Sequence, residues 1–139
     1  MSTRENKTFL VIADNAGDAL LIRRAFKSLE SCDAVIARNV SEAKAYLDGA
    51  GMYQEREKFP LPNAVICNFQ LGVESGIEFL NWIKGSEFKA MPVFVLVGVA
   101  STAGTKFAKD AGAVEVLAKP ARSEDLAAMF KDFASKLCS

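Results

Sequence analysis

With 139 residues, half of them hydrophobic and 24% charged, the chain has the length and balance of one globular domain, not of a disordered segment. Seventeen basic residues cancel seventeen acidic ones, so the overall charge points to neither nucleic acid nor an anionic membrane. The lack of histidine excludes a Ser-His-Asp triad, a Cys-His pair and an imidazole base, so an enzyme here would have to use carboxylates and lysines.

Apolar runs such as Val93–Val97 are too short to span a bilayer, and the N-terminus does not lead into a signal-peptide pattern. Cys32, Cys67 and Cys138 are odd in number and lack zinc-ligand spacing, so reduced thiols in a cytoplasmic protein are expected, with no metal.

Five short apolar runs alternate with five longer, mostly amphipathic ones. Thr8–Ala13 reads as a buried strand closed by the turn residues Asp14 and Asn15. From Asn15 to Leu29, the apolar positions Ala19, Ile22, Ala25, Phe26 and Leu29 recur at helical spacing. Asp33–Ala37 is a weaker second strand, and Ser41 is expected to cap a helix over Glu42–Leu47 that ends near Gly49 and Gly51.

A long connection follows. Pro60 and Pro62 stop any helix, and Gly49–Pro62 exceeds the usual connection of roughly 2–6 residues, which marks it as a candidate functional loop. Gln54–Lys58 reads as solvated, while Tyr53 and Phe59 beside it suggest a partner contact.

Ala64–Asn68 is the third strand, and Ser75–Lys84 a helix stopped near Gly85, with Trp82 read as packing. Val93–Val97 is the fourth strand, Thr102–Ala111 a short helix closed by Gly112, and Val114–Ala118 the fifth strand, ending at Lys119 and Pro120. Ser123 is expected to cap a last helix over Glu124–Leu137, with acids in its first turn and Lys131 and Lys136 later. There is no internal repeat and no sign of a second domain over residues 1–139. The alternation implies a single flavodoxin-like α/β domain: a five-stranded parallel sheet, order 2-1-3-4-5, covered on both faces.

In such sheets ligands bind beyond the carboxyl ends of the strands, near the switch point between strands one and three. The residues delivered there are Ala13, Asp14 and Asn15, then Asn68, then Val97 and Gly98, then Lys119 and Pro120. Singly these are ordinary turn residues; jointly they form a polar crevice.

The joint pattern resembles the receiver domain of response regulators over Lys7 to Leu137. The matching stretches are Phe9–Asn15 (FLVIADN), Asn63–Gly72 (NAVICNFQLG) with Gly76 following, Pro92–Leu96 (PVFVL) and Ala111–Pro120 (AGAVEVLAKP). The Gly49–Pro62 stretch is similar to an expanded loop of some single-domain receivers. The resemblance implies phosphorelay signal transduction in a two-component system. A kinase histidine passes a phosphoryl group to an aspartate ending strand three, and acids after strand one help to hold Mg²⁺. A Ser/Thr and a lysine contact the phosphoryl oxygens, and an aromatic residue on strand five relays the state to the face formed by the fourth and fifth helices.

This sequence departs from that pattern. The acceptor position is Asn68, a carboxamide without the anionic oxygen that attacks phosphorus. Ala13 leaves Asp14 as the remaining acid, so Mg²⁺ binding is expected to be weak or absent. Val97 replaces the hydroxyl and Val116 the switch aromatic; Lys119 remains, and it is expected to pair with Asp14 across the crevice with Asn68 bridging.

The resulting expectation is a non-enzymatic pseudo-receiver that binds a sensor kinase or another signalling protein. A homodimer through the fourth and fifth helices is one form of this, with Phe107, Phe130 and Phe133 as the partner face, and neither nucleic acid nor membrane as partner. With no output domain on the chain, its output would pass through another chain. An alternative is a receiver driven by another input: a small ligand in the crevice, or phosphorylation elsewhere, for which Ser101 and Thr102 have no local support. A flavin- or nucleotide-binding protein of the same fold is disfavoured, because Asp14–Asp18 (DNAGD) carries one glycine and two acids where a phosphate loop needs glycines or hydroxyls.

Overall fold

Period-two alternation along the first strand, β1 (Lys7–Ile12), sends Leu10 and Ile12 to one side of the sheet and Phe9 and Val11 to the other. In this computed structural model, which describes residues 7–29, 32–71, 74–98, 102–120 and 122–138, the same rule sorts the whole interior into two layers. The strands β2 (Cys32–Ala37), β3 (Ala64–Asn68), β4 (Val93–Val97) and β5 (Glu115–Ala118) join β1 in the order β2-β1-β3-β4-β5, every pairing parallel. This is the expected topology. Burial on both faces explains why β3 and β4 read as continuous apolar runs, not as alternating ones.

Helices α1 (Ala16–Lys27) and α5 (Ser123–Cys138) cover one face, through Ile22, Phe26, Phe130 and Ala134. Helices α2 (Val40–Asp48), α3 (Gly76–Lys84) and α4 (Thr102–Asp110) cover the other, through Tyr46, Phe79, Leu80 and Ala108. A two-residue antiparallel ladder, Gln70–Leu71 with Glu74–Ser75, precedes α3. Among the described residues no helix is long and apolar enough to cross a membrane. Gly72 and Ser101 lie outside the described residues, as do the side chains of Thr102, Ser123 and Cys138.

Two caps differ from the sequence reading. Helix α2 is capped by Asn39, whose Oδ1 accepts from the Glu42 N–H at 2.7 Å, so Ser41 falls inside the helix. Helix α5 includes Ser123, and the Arg122 carbonyl accepts from the Leu126 N–H.

The 49–62 connection is built, not loose. Gly49 takes a left-handed conformation (φ 69°) that ends α2, and Gly51–Gln54 form one 3₁₀ turn. The Arg56 guanidinium then folds back over Gly49. Its Nη1 donates to the Tyr46 and Phe59 carbonyls at 2.9 and 3.1 Å, and its Nη2 to the Leu47 carbonyl at 2.6 Å. Carbonyls at a helix C-terminus have no partner within the helix and carry the negative end of its dipole, so the cation serves as an external cap. The Tyr46 hydroxyl donates to the Pro60 carbonyl at 2.7 Å, and the Tyr46, Tyr53 and Phe59 rings pack 5.0–6.2 Å apart. Arg56 is therefore half-buried in a run expected to be solvated. Tyr53 and Phe59, expected to suggest a partner contact, pack against the core.

The thiols also depart from expectation. Cys67 is a free, fully buried thiol, whereas Cys32 is disulfide-bonded. The last turn of α5 reaches that edge of the sheet, since Lys7, the register partner of Cys32, donates to the Leu137 carbonyl at 3.4 Å.

Candidate functional site

The crevice at the carboxyl ends of β1, β3, β4 and β5 gathers the expected residues. The register Ile12↔Cys67 places Ala13 beside Asn68, and Asn68↔Leu96 places Val97 just beyond it. Ala13 and Val97 are 2% and 1% exposed, so the strands on either side of Asn68 carry buried apolar residues at this level, Ala13 in one core layer and Val97 in the other. Asn68 is itself only 4% exposed, and its Oδ1 is buried with no hydrogen-bond partner among the described residues. Leaving such an acceptor unmatched costs about 1–3 kcal/mol.

The backbone around Asn68 is tightly held. Gly76 donates its N–H to the Phe69 carbonyl at 2.7 Å, and a Cβ on Gly76 would stand 2.7 Å from the Asn68 carbonyl oxygen and 3.2 Å from Cys67 Sγ. A glycine is therefore required where α3 begins. Burial pushes the Cys67 thiol up to about 12, which leaves it protonated and unreactive at neutral pH.

Lys119 follows β5, and its N–H donates to the Val97 carbonyl at 2.8 Å. Its ammonium does not pair with Asp14, as the sequence had suggested, but donates to Asp18 Oδ2 at 2.9 Å. The geometry of α1 explains the choice. Asn15 caps the helix, its Oδ1 accepting from the Asp18 N–H at 3.0 Å, which brings Asp18 into the first turn, where the helix dipole favours a carboxylate. Asp14, outside the helix, is exposed and makes no ion pair among the described residues. With side-chain exposures of 26% and 15%, Lys119 and Asp18 form a partly buried bridge between the exit of β5 and the start of α1.

The remaining expected site residues divide. Val116 is half-buried and packs against the core layer that contains Val97. Phe107 on α4 is 60% exposed, and Val114 before β5 equally so. Phe130 and Phe133 do not belong to a partner face; both are buried between α5 and the sheet, Phe133 edge-on to Phe94 at 5.0 Å. They occupy the inward stripe of α5, whose apolar spacing already suits packing on a sheet. Sequence reasoning missed Asp18 and Arg56. The Asn15-to-Asp18 spacing of a helix cap was a usable signal for the first. None was available for Arg56, whose partners are backbone carbonyls.

Comparison with known proteins agrees with this architecture. A family model described as the response regulator receiver domain matches residues 9–131. No curated protein matches the chain. Among solved structures, the phosphorylated cyanobacterial phytochrome response regulator RcpA is similar at 25% identity and a TM-score of 0.86, covering 96% of this chain and 95% of that one. The Mn²⁺-bound form of response regulator Rcp1 is 26% identical with a TM-score of 0.81, covering 93% and 92%. A response regulator receiver protein from Pseudomonas putida is 26% identical with a TM-score of 0.70, covering 94% and 99%.

Proposed function

Because this chain belongs to the response regulator receiver domain family, we propose that it is a signalling module that is not phosphorylated at Asn68. It acts by binding a sensor kinase or another signalling protein and catalyses no reaction of its own. The observation that carries this reading is the surroundings of Asn68. Its carboxamide is buried, the strands on either side deliver Ala13 and Val97 at this level, and the lysine that could approach a phosphoryl group is engaged by Asp18. A carboxamide lacks the anionic oxygen needed to attack phosphorus, and neither flanking strand offers a hydroxyl or a second carboxylate.

The divalent cation of the family fits these residues poorly. Mn²⁺ is bound in Rcp1, but hard cations take six or more oxygen ligands, with carboxylates prominent, and here Asp14 is the one acid at the ends of β1 and β3. Among the described residues no three acidic, cysteine or histidine side chains are grouped to hold a metal. Mg²⁺ binding is expected to be weak or absent.

For a homodimer through α4 and α5, Phe107 and Val114 remain as exposed apolar residues, while Phe130 and Phe133 serve the core. The reading is tested by intact mass after incubation with Mg²⁺ and acetyl phosphate. An unchanged mass is expected. A gained phosphoryl group labile to hydroxylamine would refute it.

A further inference from the structure

Helix α1 buries Ile22, Ala25 and Phe26 and turns a different stripe toward the edge strand β2. That stripe, Ala16, Ala19, Leu20 and Arg23, lines a cleft of about 270 Å³ together with Ile36 and Arg38 at the end of β2. Leu20 is 48% exposed there, an outlying apolar side chain on a helix whose Ile22 and Phe26 are buried and whose Leu21 is half-buried. A second cleft of about 150 Å³ continues along the same edge between Lys27 and Ala34, and Arg23 lines both. Joined at Arg23, the two clefts form one groove whose first part has an apolar bed and along which three cations, Arg38, Arg23 and Lys27, are set. Asp14 and Asp33 contribute acids toward its two ends.

We propose that this groove between α1 and β2 docks an extended segment of a partner protein that carries acidic residues at alternate positions beside one large apolar anchor. The proposal rests on the reading of the chain as a protein-binding module and supplies the chemistry of the partner. Size argues for side chains and against a free metabolite. Pockets that bury small molecules usually hold roughly 300–1,000 Å³ and enclose them. Each cleft alone falls below that range, and the groove they form is open and bordered by exposed residues, so it does not enclose a small molecule but can take the side chains of a docked segment.

Charge argues for acids. Among the described residues Arg23 and Lys27 have no ion pair, and Arg38 reaches Glu42 only at 3.9 Å with its side chain 80% exposed. Spacing argues for an extended chain. Alternate residues of a strand are about 6.6 Å apart, close to the ~6 Å axial step between Arg23 and Lys27 on one helical face. Asp14 and Asp33 would repel carboxylates placed beyond the cations, which sets the register.

The test is an NMR titration of the ¹⁵N-labelled protein with a short peptide that has a leading phenylalanine followed by glutamate at alternate positions. Shifts are expected at residues 16–27 and 36–38, falling with added salt. Affinity should drop about tenfold in the double variant R23E/K27E and also in L20S, which keeps the charges. These side chains are exposed, so a dispersed spectrum is expected from each variant. Absence of shifts at these residues would overturn the proposal, as would equal binding by a peptide with lysine in place of glutamate. A phosphoryl adduct on the wild-type protein, by contrast, would refute the functional reading and leave the groove measurement intact.

Discussion

Lys119 Nζ lies 2.9 Å from Asp18 Oδ2, which ties the exit of β5 to the first turn of α1. The partners are 101 residues apart in sequence, and the bond holds the lysine's charge on the α1 side of the crevice. The pair is partly buried, so breaking it should cost about 1 kcal/mol, near the upper end for exposed pairs. Asp18→Asn and Lys119→Met should each lower stability in urea by that amount. The double variant should be no less stable than the worse single one, which a double-mutant cycle would read as coupling. Strict additivity would mean that the pair contributes nothing.

Arg56 provides the second prediction. Three carbonyls depend on one guanidinium, and Lys cannot reproduce the fork. Arg56→Ala should destabilise the domain by about 2 kcal/mol, given roughly 1.5–3 kcal/mol for hydrogen bonds to charged groups. Arg56→Lys should recover less than half of the loss. Limited proteolysis should find new cleavage within 49–62 in both variants before global unfolding.

At Gly76 the prediction is steric. An added methyl would meet the Asn68 carbonyl oxygen at 2.7 Å, a contact real Cβ atoms essentially never make. Gly76→Ala should cost at least about 2 kcal/mol, despite alanine's better helix propensity, and chemical denaturation decides the sign.

Cys67 makes stability pH-dependent in the alkaline range. Its folded thiol ionises at about 12, against 9.0 as the ordinary value. Below about 9 both folded and unfolded chains keep the proton, and the contribution is constant. Between about 9 and 12 the unfolded chain releases it first, so stability falls as pH rises. Tyr46 shifts in the same direction, chiefly through burial, with Arg56 opposing. Compared at pH 8 and 11, Cys67→Ala should lose less stability than wild type. In the folded protein at neutral pH, Cys67 should resist thiol reagents until denaturant is added.

The fold was legible because its strands are short and apolar, with both faces buried. The bounds of β3 and β4 are the residues read from sequence, and the order 2-1-3-4-5 followed from alternation alone. What escaped were contacts in which a side chain meets backbone or a distant helix. Ser41 was a reasonable cap for α2, but Asn39, with Glu42 three residues later, has the spacing that satisfies the helix's first N–H groups. Asp14 was the acid directly after β1, yet the capping geometry of Asn15 favoured Asp18 for Lys119. Phe130 and Phe133 were assigned by element instead of by face, and the inward stripe of α5 claimed them. The identity of the crevice residues, Ala13, Asn68 and Val97, needed only the sequence.

The most direct test of the central claim is intact mass spectrometry after acetyl phosphate and Mg²⁺, run on three proteins together: wild type, Asn68→Asp, and the triple variant Asn68→Asp/Ala13→Asp/Val97→Thr. If Asn68 and its apolar neighbours are what prevent phosphorylation, wild type should show no adduct, and the triple variant should gain one phosphoryl group that hydroxylamine removes. The Asn68→Asp protein should fall between them. A hydroxylamine-labile adduct on the wild-type chain would contradict the account and place a working acceptor elsewhere in the domain.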